Sequence, residues 1–265
     1  MTSSRNILVF TDLDGTLLDE NYSWSAASEA LEKLKSEGIP LILCSSKTRP
    51  EIEIYQKRMG LKDPFISENG GGIFIPEAYF SFDFPHTRDS YGNKIIDLAE
   101  PYAKVRAKLD ELRPLGQITG FGDMTVEEIS RDTDLTLEEA ALAKSREYGE
   151  PFKFLGDLLM LEKAAEREGF NLTRGTAYWH LSKGCDKGKA VEALTSLYKK
   201  DKPDIQTVAL GNSRNDISML KKVDIPIWIM QMHDNSDYND IPNLRKSASS
   251  GPEGWNEEIL KLLSP

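Results

Sequence analysis

Four short clusters of polar residues have the types and spacing for phosphoryl transfer. In the first, Asp-Leu-Asp-Gly-Thr at 12–16, two carboxylates stand two residues apart and Gly15 permits a tight turn. Asp12 has the chemistry to attack phosphorus and form an aspartyl-phosphate. Asp14 has the chemistry to protonate the leaving oxygen and then deprotonate the attacking water. Such a site also needs donors for the phosphoryl oxygens, a positive charge and a metal. Ser-Ser-Lys at 45–47 offers a hydroxyl, from Ser45 or Ser46, and backbone N–H groups. Asp-Lys-Gly-Lys at 186–189 offers Lys187 or Lys189. Gly-Asn-Ser-Arg-Asn-Asp at 211–216 offers Asn212, Asn215 and Asp216 as oxygen ligands. Alone, Asp-Leu-Asp-Gly-Thr is also a composition for a surface turn; the other three clusters argue for a site.

The elements that must position these residues are legible as apolar runs. Residues 6–11 read as a buried strand that stops at Asp12, and residues 39–44 as a second that delivers Ser45. Residues 24–37 have helical spacing and end at Gly38; residues 50–59 form another helix closed by Gly60. A strand at 72–75 follows Ser-Glu-Asn-Gly-Gly at 67–71. The series resumes near the C-terminus with a helix at 187–199, a strand at 207–211, a helix at 214–222 and a strand at 225–230. This order predicts βαβ units and a parallel sheet, with ligands outside the carboxyl ends of its strands. The stretch between is more polar, with helical segments at 93–112 and 138–148 and strand-like pieces near 117–119, 152–154 and 158–161. The prediction is an α/β fold: a doubly wound, Rossmann-like parallel-sheet core from 1–82 and 176–265, interrupted by an α+β cap domain at 83–175.

Composition sets outer bounds. A chain of 265 residues with 39% hydrophobic and 29% charged residues is a globular one. Its net charge of -10 argues against nucleic acid as a partner. No stretch approaches the ~20 apolar residues that span a bilayer, so no membrane partner is expected. Cys44 and Cys185 suggest no disulfide framework, and the N-terminal residues show no signal-peptide pattern, which points to a cytoplasmic setting.

The four clusters, in this order, resemble the haloacid dehalogenase superfamily of phosphatases over nearly the whole chain. The resemblance implies Asp12 as nucleophile, Asp14 as general acid and base, and Ser45 as a phosphoryl ligand with Ser46 the adjacent candidate. It favours Lys187, which precedes a glycine at a helix start, over Lys189. It implies magnesium as cofactor, held by Asp12, the Asp14 carbonyl, Asn212 and Asp216. The insertion between the second and third motifs, with Ser-Glu-Asn-Gly-Gly, is typical of the branch with an α/β cap. Cys-Ser-Ser-Lys-Thr at 44–48, residues 134–152, Tyr-Trp-His-Leu at 178–181 and Gly-Pro-Glu-Gly-Trp at 251–255 look like the mannosyl-3-phosphoglycerate phosphatases of that branch. The implied substrate is a small phosphorylated sugar acid. Alternatives are phosphatases of glucosyl-3-phosphoglycerate, sucrose phosphate or trehalose phosphate, a phosphohexomutase, and a low-activity metabolite-binding homologue.

Substrate choice is expected from the cap. Arg131, Arg146 and Arg174 are candidates for the substrate carboxylate, because a guanidinium matches it bidentately. Trp179 and His180 are candidates for the sugar or the phosphoglycerate. Glu68, Asn69 and Gly70 in the glycine-rich loop, and Asn215, complete the substrate set. One departure stands out: the superfamily's metal motif usually begins Gly-Asp, and this chain has Gly211-Asn212. An amide oxygen ligates magnesium without contributing a charge, and the expectation is that Asn215 and Asp216 suffice.

Overall fold

In the computed structural model, which describes residues 6–90, 92–174, 177–231 and 240–264, the predicted core strands at 6–11, 39–44, 72–75, 207–211 and 225–230 are all strands. The first six are β1 (Ile7–Thr11), β2 (Leu41–Cys44), β3 (Phe65–Ser67), β4 (Gly72–Ile75), β5 (Thr87–Arg88) and β6 (Lys94–Asp97). Four strands of a second sheet follow: β7 (Gly116–Gly120), β8 (Gly149–Gly156), β9 (Asn171–Arg174) and β10 (Trp179–Ser182). The first sheet then resumes with β11 (Gln206–Gly211), β12 (Ile225–Met230) and β13 (Arg245–Ser250). Its order is β13-β12-β11-β1-β2-β3-β4-β6-β5, parallel from β13 to β3 and antiparallel beyond.

The central strands β1, β2, β11 and β12 are apolar because both faces of the sheet are covered there. Val9, Leu41, Leu43, Val208 and Ile227 pack on one side with α1 (Ser28–Ser36), α2 (Arg49–Met59) and, at the chain's end, Trp255 and Ile259. Leu8, Phe10, Ile42, Ala209 and Trp228 pack on the other, against Ala190, Val191 and Leu194. The strand order reverses on either side of β1, which makes β11–β1–β2 the switch point of a doubly wound sheet. Thr11 pairs with both Leu43 and Leu210, so the loops beginning at Asp12, Ser45 and Asn212 leave the sheet at one level.

The smaller sheet, ordered β7-β8-β10-β9, forms the cap with α3 (Tyr102–Leu112), α4 (Val126–Thr133), α5 (Leu137–Lys144) and α6 (Leu158–Glu166). By sheet membership the crossings differ from the expected 83 and 175. Lys94–Asp97 reads as helix in sequence but pairs with β4, with Ile95 packed on one face of the core sheet and Ile96 on the other. Trp179–Ser182 pairs with β8 and β9 in the cap. The predicted junction at 175–176 lies outside the described residues. The predicted strand at 158–161 is the start of α6: Asp157 caps it by accepting from the Met160 N–H, and Leu161 and Ala165 are buried one turn apart.

A carboxylate joins cap to core. Glu68 is 2% exposed, and its oxygens accept from the backbone N–H groups of Glu147 (2.7 Å), Tyr148 (3.2 Å) and Gly149 (2.8 Å). Arg146 Nε lies 3.1 Å from the same carboxylate. Thr48 adds a second link through its hydroxyl to the Leu142 carbonyl, 2.9 Å. Replacing Glu68 by Gln puts an amide N–H against donors and removes the charge, a loss of about 1–3 kcal/mol. Hydrogen exchange at the amides of 147–149 is expected to accelerate roughly tenfold or more in Glu68→Gln. Unchanged protection there would show that the carboxylate does not hold the cap.

Candidate active site

The helix α7 (Lys187–Asp201) begins at the carboxyl edge of the sheet, with Asp186 capping it through the N–H groups of Gly188 and Lys189. Lys187 is its first residue and is 1% exposed. The ammonium lies 2.7 Å from Asp12 Oδ1 and 2.6 Å from Asp216 Oδ1. Burial alone would lower the pKa of Lys187, but the two carboxylates outweigh it and hold it up. Burial and the neighbouring Asp216 push Asp12 up to about 7, against the pull of Lys187.

Asp216 is fully buried, and its second oxygen accepts from the N–H groups of Asn212 and Ser213, both 3.0 Å, and from the Ser213 hydroxyl, 2.9 Å. Asp216, expected as a metal ligand, has both oxygens turned to Lys187 and to its own loop. Asn212 is placed differently. Gly15, at φ +70°, leaves room for its amide, which a Cβ there would strike. Its Oδ1 is buried and accepts no hydrogen bond from the described residues. Trp255, from Gly-Pro-Glu-Gly-Trp, donates its indole N–H to Thr11 Oγ1 at 3.0 Å, and the Thr11 hydroxyl donates to the Asp12 carbonyl at 2.8 Å. A helix after the last strand thereby braces the turn that carries Asp12.

Asp14 stands on the same turn, and Lys47 Nζ lies 3.0 Å from its Oδ1. The contact is an ion pair off the line of a hydrogen bond, since that oxygen accepts none. Burial would lower the pKa of Lys47, but Asp14 and Glu51 hold it up. Ser45 is fully buried, its Oγ accepts from the Lys47 N–H at 3.2 Å, and its carbonyl accepts from the Asn69 N–H at 2.9 Å. Ser46 presents its carbonyl to Arg146 Nη2 at 3.3 Å.

A cavity of about 410 Å³ between cap and core opens on Lys187. Asn69, Asn215 and Arg214 line it from the core, and Arg146 and His180 from the cap. Asn215 donates to Asn69 Oδ1 at 2.8 Å. Gly70, at φ +92°, lets the 67–71 turn press against the Asp186 backbone, where a Cβ would collide; it is packing, not a cavity residue. Glu68 lines the cavity, but its oxygens are occupied by the cap. His180 is enclosed on the open face of the cap sheet, and burial with the nearby Arg146 lowers its pKa to about 4.

The three cap arginines separate. Arg146 is in the site, yet its guanidinium is used by Glu68, the Gly149 carbonyl (3.2 Å) and the Ser46 carbonyl. Arg174 pairs in register with Trp179 and lies over its ring at 5.0 Å. Strand alternation places both on the face that packs on the cap helices, away from His180. Arg131 is exposed on α4 and lies outside the cavity lining. Arg174, Trp179 and Arg131 are therefore not brought to the site. Lys47 and Arg214 are, and sequence reading assigned neither a role. The available signal was position: each follows a predicted strand by a few residues, as Ser45 and Asn212 do.

Magnesium prefers hard oxygen donors in octahedral array. Asp12, the Asp14 carbonyl on the same turn and the unpartnered Asn212 oxygen are donors of that kind. Among the described residues no three His, Cys, Asp or Glu side chains converge as a metal cluster, so carboxylates alone do not form such a site.

Comparison with known proteins places the chain. The family model for haloacid dehalogenase-like hydrolases matches residues 9–87 and 166–236. The chain is 43% identical to a glucosyl-3-phosphoglycerate/mannosyl-3-phosphoglycerate phosphatase from Persephonella marina, covering 97% of each. It is 37% identical to a mannosyl-3-phosphoglycerate phosphatase from Pyrococcus furiosus, covering 87% of this chain and 94% of that one. The crystal structure of a Thermoplasma acidophilum protein superimposes with a TM-score of 0.70 at 20% identity, over 97% and 98% of the two chains, which shows the shared fold. With the strand-end carboxylates and the buried lysine in place, the chain belongs to the haloacid dehalogenase-like hydrolases and is a phosphatase of that family.

Proposed function

We propose that this phosphatase removes phosphate from a hexosyl-3-phosphoglycerate, mannosyl-3-phosphoglycerate foremost, through an aspartyl-phosphate on Asp12. The observation that carries the reading is Lys187 locked between Asp12 and Asp216 beside the turn that presents Asp14. The names of the relatives support the substrate class, and one of them covers the glucosyl as well as the mannosyl compound.

An Asp12 carboxylate oxygen attacks phosphorus while the bond to the glycerate oxygen breaks, and Asp14 gives that oxygen a proton. Water then attacks the phosphorus, Asp14 takes its proton, and the bond to Asp12 breaks to release phosphate. Lys187 orients Asp12 and screens its charge; Ser45 and the N–H groups of its loop bind phosphoryl oxygens. Asp12, the Asp14 carbonyl and Asn212 would hold magnesium, which when bound would supply charge neutralisation for two anions brought together. In the cap, a neutral His180 offers one donor and one acceptor to sugar hydroxyls. The free thiols of Cys44 and Cys185 support a reducing, cytoplasmic setting.

Phosphate release from a panel of mannosyl- and glucosyl-3-phosphoglycerate, sucrose phosphate and trehalose phosphate tests the substrate. The phosphoglycerates are expected to be hydrolysed best, with activity lost in chelator and restored by magnesium. In Asp12→Asn, kcat is expected to fall ~10³-fold or more; retained turnover would end the covalent reading. Asn212→Asp adds a negative charge beside the dication and should lower the magnesium concentration for half-maximal activity roughly tenfold. No change would remove residue 212 from the ligand set. Because protonation of an enclosed imidazole is disfavoured, His180 should stay neutral across pH 5–8 and titrate near 4 by NMR. A midpoint near 6.5 would place the ring in open solvent.

A further inference from the structure

We propose that Lys47 is the residue that selects a carboxylate-bearing leaving group, by pairing with the carboxylate of the phosphoglycerate while Asp14 serves the leaving oxygen. The proposal rests on the reading above that a phosphorylated sugar acid is the substrate. In phosphoryl transfer the attacking and leaving oxygens lie roughly in line through phosphorus. Lys187 is committed to the attacking side, at 2.7 Å from Asp12 Oδ1. Asp14 must reach the leaving oxygen, and the cation beside it is Lys47, 3.0 Å from Asp14 Oδ1. In a 3-phosphoglycerate the carboxylate is two carbons from the carbon that bears the leaving oxygen. A cation adjacent to the acid that protonates this oxygen is therefore adjacent to the carboxylate as well.

The state of Lys47 fits a ligand site better than a finished ion pair. Its side chain is 11% exposed. Its ion pair is with Asp14, whose side chain is 44% exposed, and the buried Asp14 Oδ1 is not in line for a hydrogen bond. The ammonium sits 4.7 Å from the centre of the Tyr22 ring, whose face covers it. An ammonium has three N–H donors, so one sheltered from water and paired with Asp14 keeps donors for a second carboxylate. The arginines expected for this task are spent on Glu68 and carbonyls, stacked on Trp179, or exposed on α4. Arg214 remains as a rival: it lines the cavity from the loop that carries Asn212.

The test compares D-3-phosphoglycerate with sn-glycerol 1-phosphate, which differ in whether a carboxylate or a hydroxymethyl group stands at that position. In the wild type, kcat/KM is expected to favour 3-phosphoglycerate by roughly 10- to 100-fold. Lys47→Met should remove most of that preference, chiefly through KM for 3-phosphoglycerate, and Lys47→Arg should retain part of it. Thermal melts confirm that each variant is folded. An equal loss on both substrates would overturn the proposal and leave Lys47 as a charge balance for Asp14. Loss of the preference in Arg214→Ala with its retention in Lys47→Met would overturn it too. So would a wild type without preference, whether or not the variants fold. If the wild type hydrolyses sucrose or trehalose phosphate but no phosphoglycerate, the substrate reading itself has failed. Hydrolysis of mannosyl-3-phosphoglycerate without discrimination between the two small esters sinks Lys47 alone.

Discussion

A buried ammonium is the constraint around which this molecule is arranged. Lys187 is 1% exposed, and taking such an ion from water costs several kcal/mol unless partners replace the hydration. The partners are Asp12 and Asp216, themselves buried, so none of the three is tolerable without the others. Loss of one carboxylate leaves an uncompensated buried charge, about 3–5 kcal/mol. The fold must therefore bring together the end of β1, the loop after β11 and the first turn of α7. The parallel pairing of β1 with β11, five residues long in register, does so. A site that needs three charges in contact thereby dictates which strands are neighbours at the switch point.

The second arrangement hangs on the turn at 67–71. Glu68 and Asn69 both have positive φ, +47° and +58°, at about 1–3 kcal/mol each for non-glycine residues in uncommon backbone regions. What offsets this is the number of elements the turn engages. Its N–H groups bond the Lys47 and Ser45 carbonyls, Glu68 takes three N–H groups of the cap, and Asn69 takes Asn215. The phosphate-side loop, the cap and the loop of Asn212 are thus fixed against one another through five residues. A cap tied to the same turn that tethers the loop of Ser45 cannot shift without consequence for the site.

The core was legible because chemistry and fold share a signal there. Three functional clusters follow a parallel strand and the fourth opens a helix, so Asp12, Ser45, Lys187 and the 211–216 loop fall at the predicted element edges. The cap was less legible for a physical reason. Its sheet is covered by helices on one face only, so its strands mix apolar and polar residues instead of forming the continuous apolar runs of the core, and its short apolar helices resemble strands, as at 158–161. Faces could not be assigned either. Arg174 and Thr173 are adjacent in sequence, yet one stacks with Trp179 on the helix side and the other lines the cavity beside His180. Glu68 looked like a ligand residue because it sits in a glycine-rich loop; only the backbone donors of 147–149, some 80 positions on, reveal a tether. The inward turn of Asp216 depends on a lysine 29 residues earlier, which its own motif does not signal.

Asn212 is best understood from the charges already present. Asp12, Asp14 and Asp216 face Lys187 and Lys47, three carboxylates against two ammoniums. An aspartate at 212 would deepen the negative excess, which favours a dication but opposes the approach of a phosphate ester dianion. The molecule's net charge of -10 already works against such a ligand at long range. An amide keeps the oxygen donor and omits the charge. With Asp216 neutralised by Lys187, the carboxylate left for a dication and for attack on phosphorus is Asp12 itself, raised by burial beside Asp216. The cation that completes this site must then neutralise Asp12 as well as the substrate. Under the proposed mechanism, nucleophile strength and metal occupancy are for that reason coupled, and residue 212 is the position at which their balance would be set.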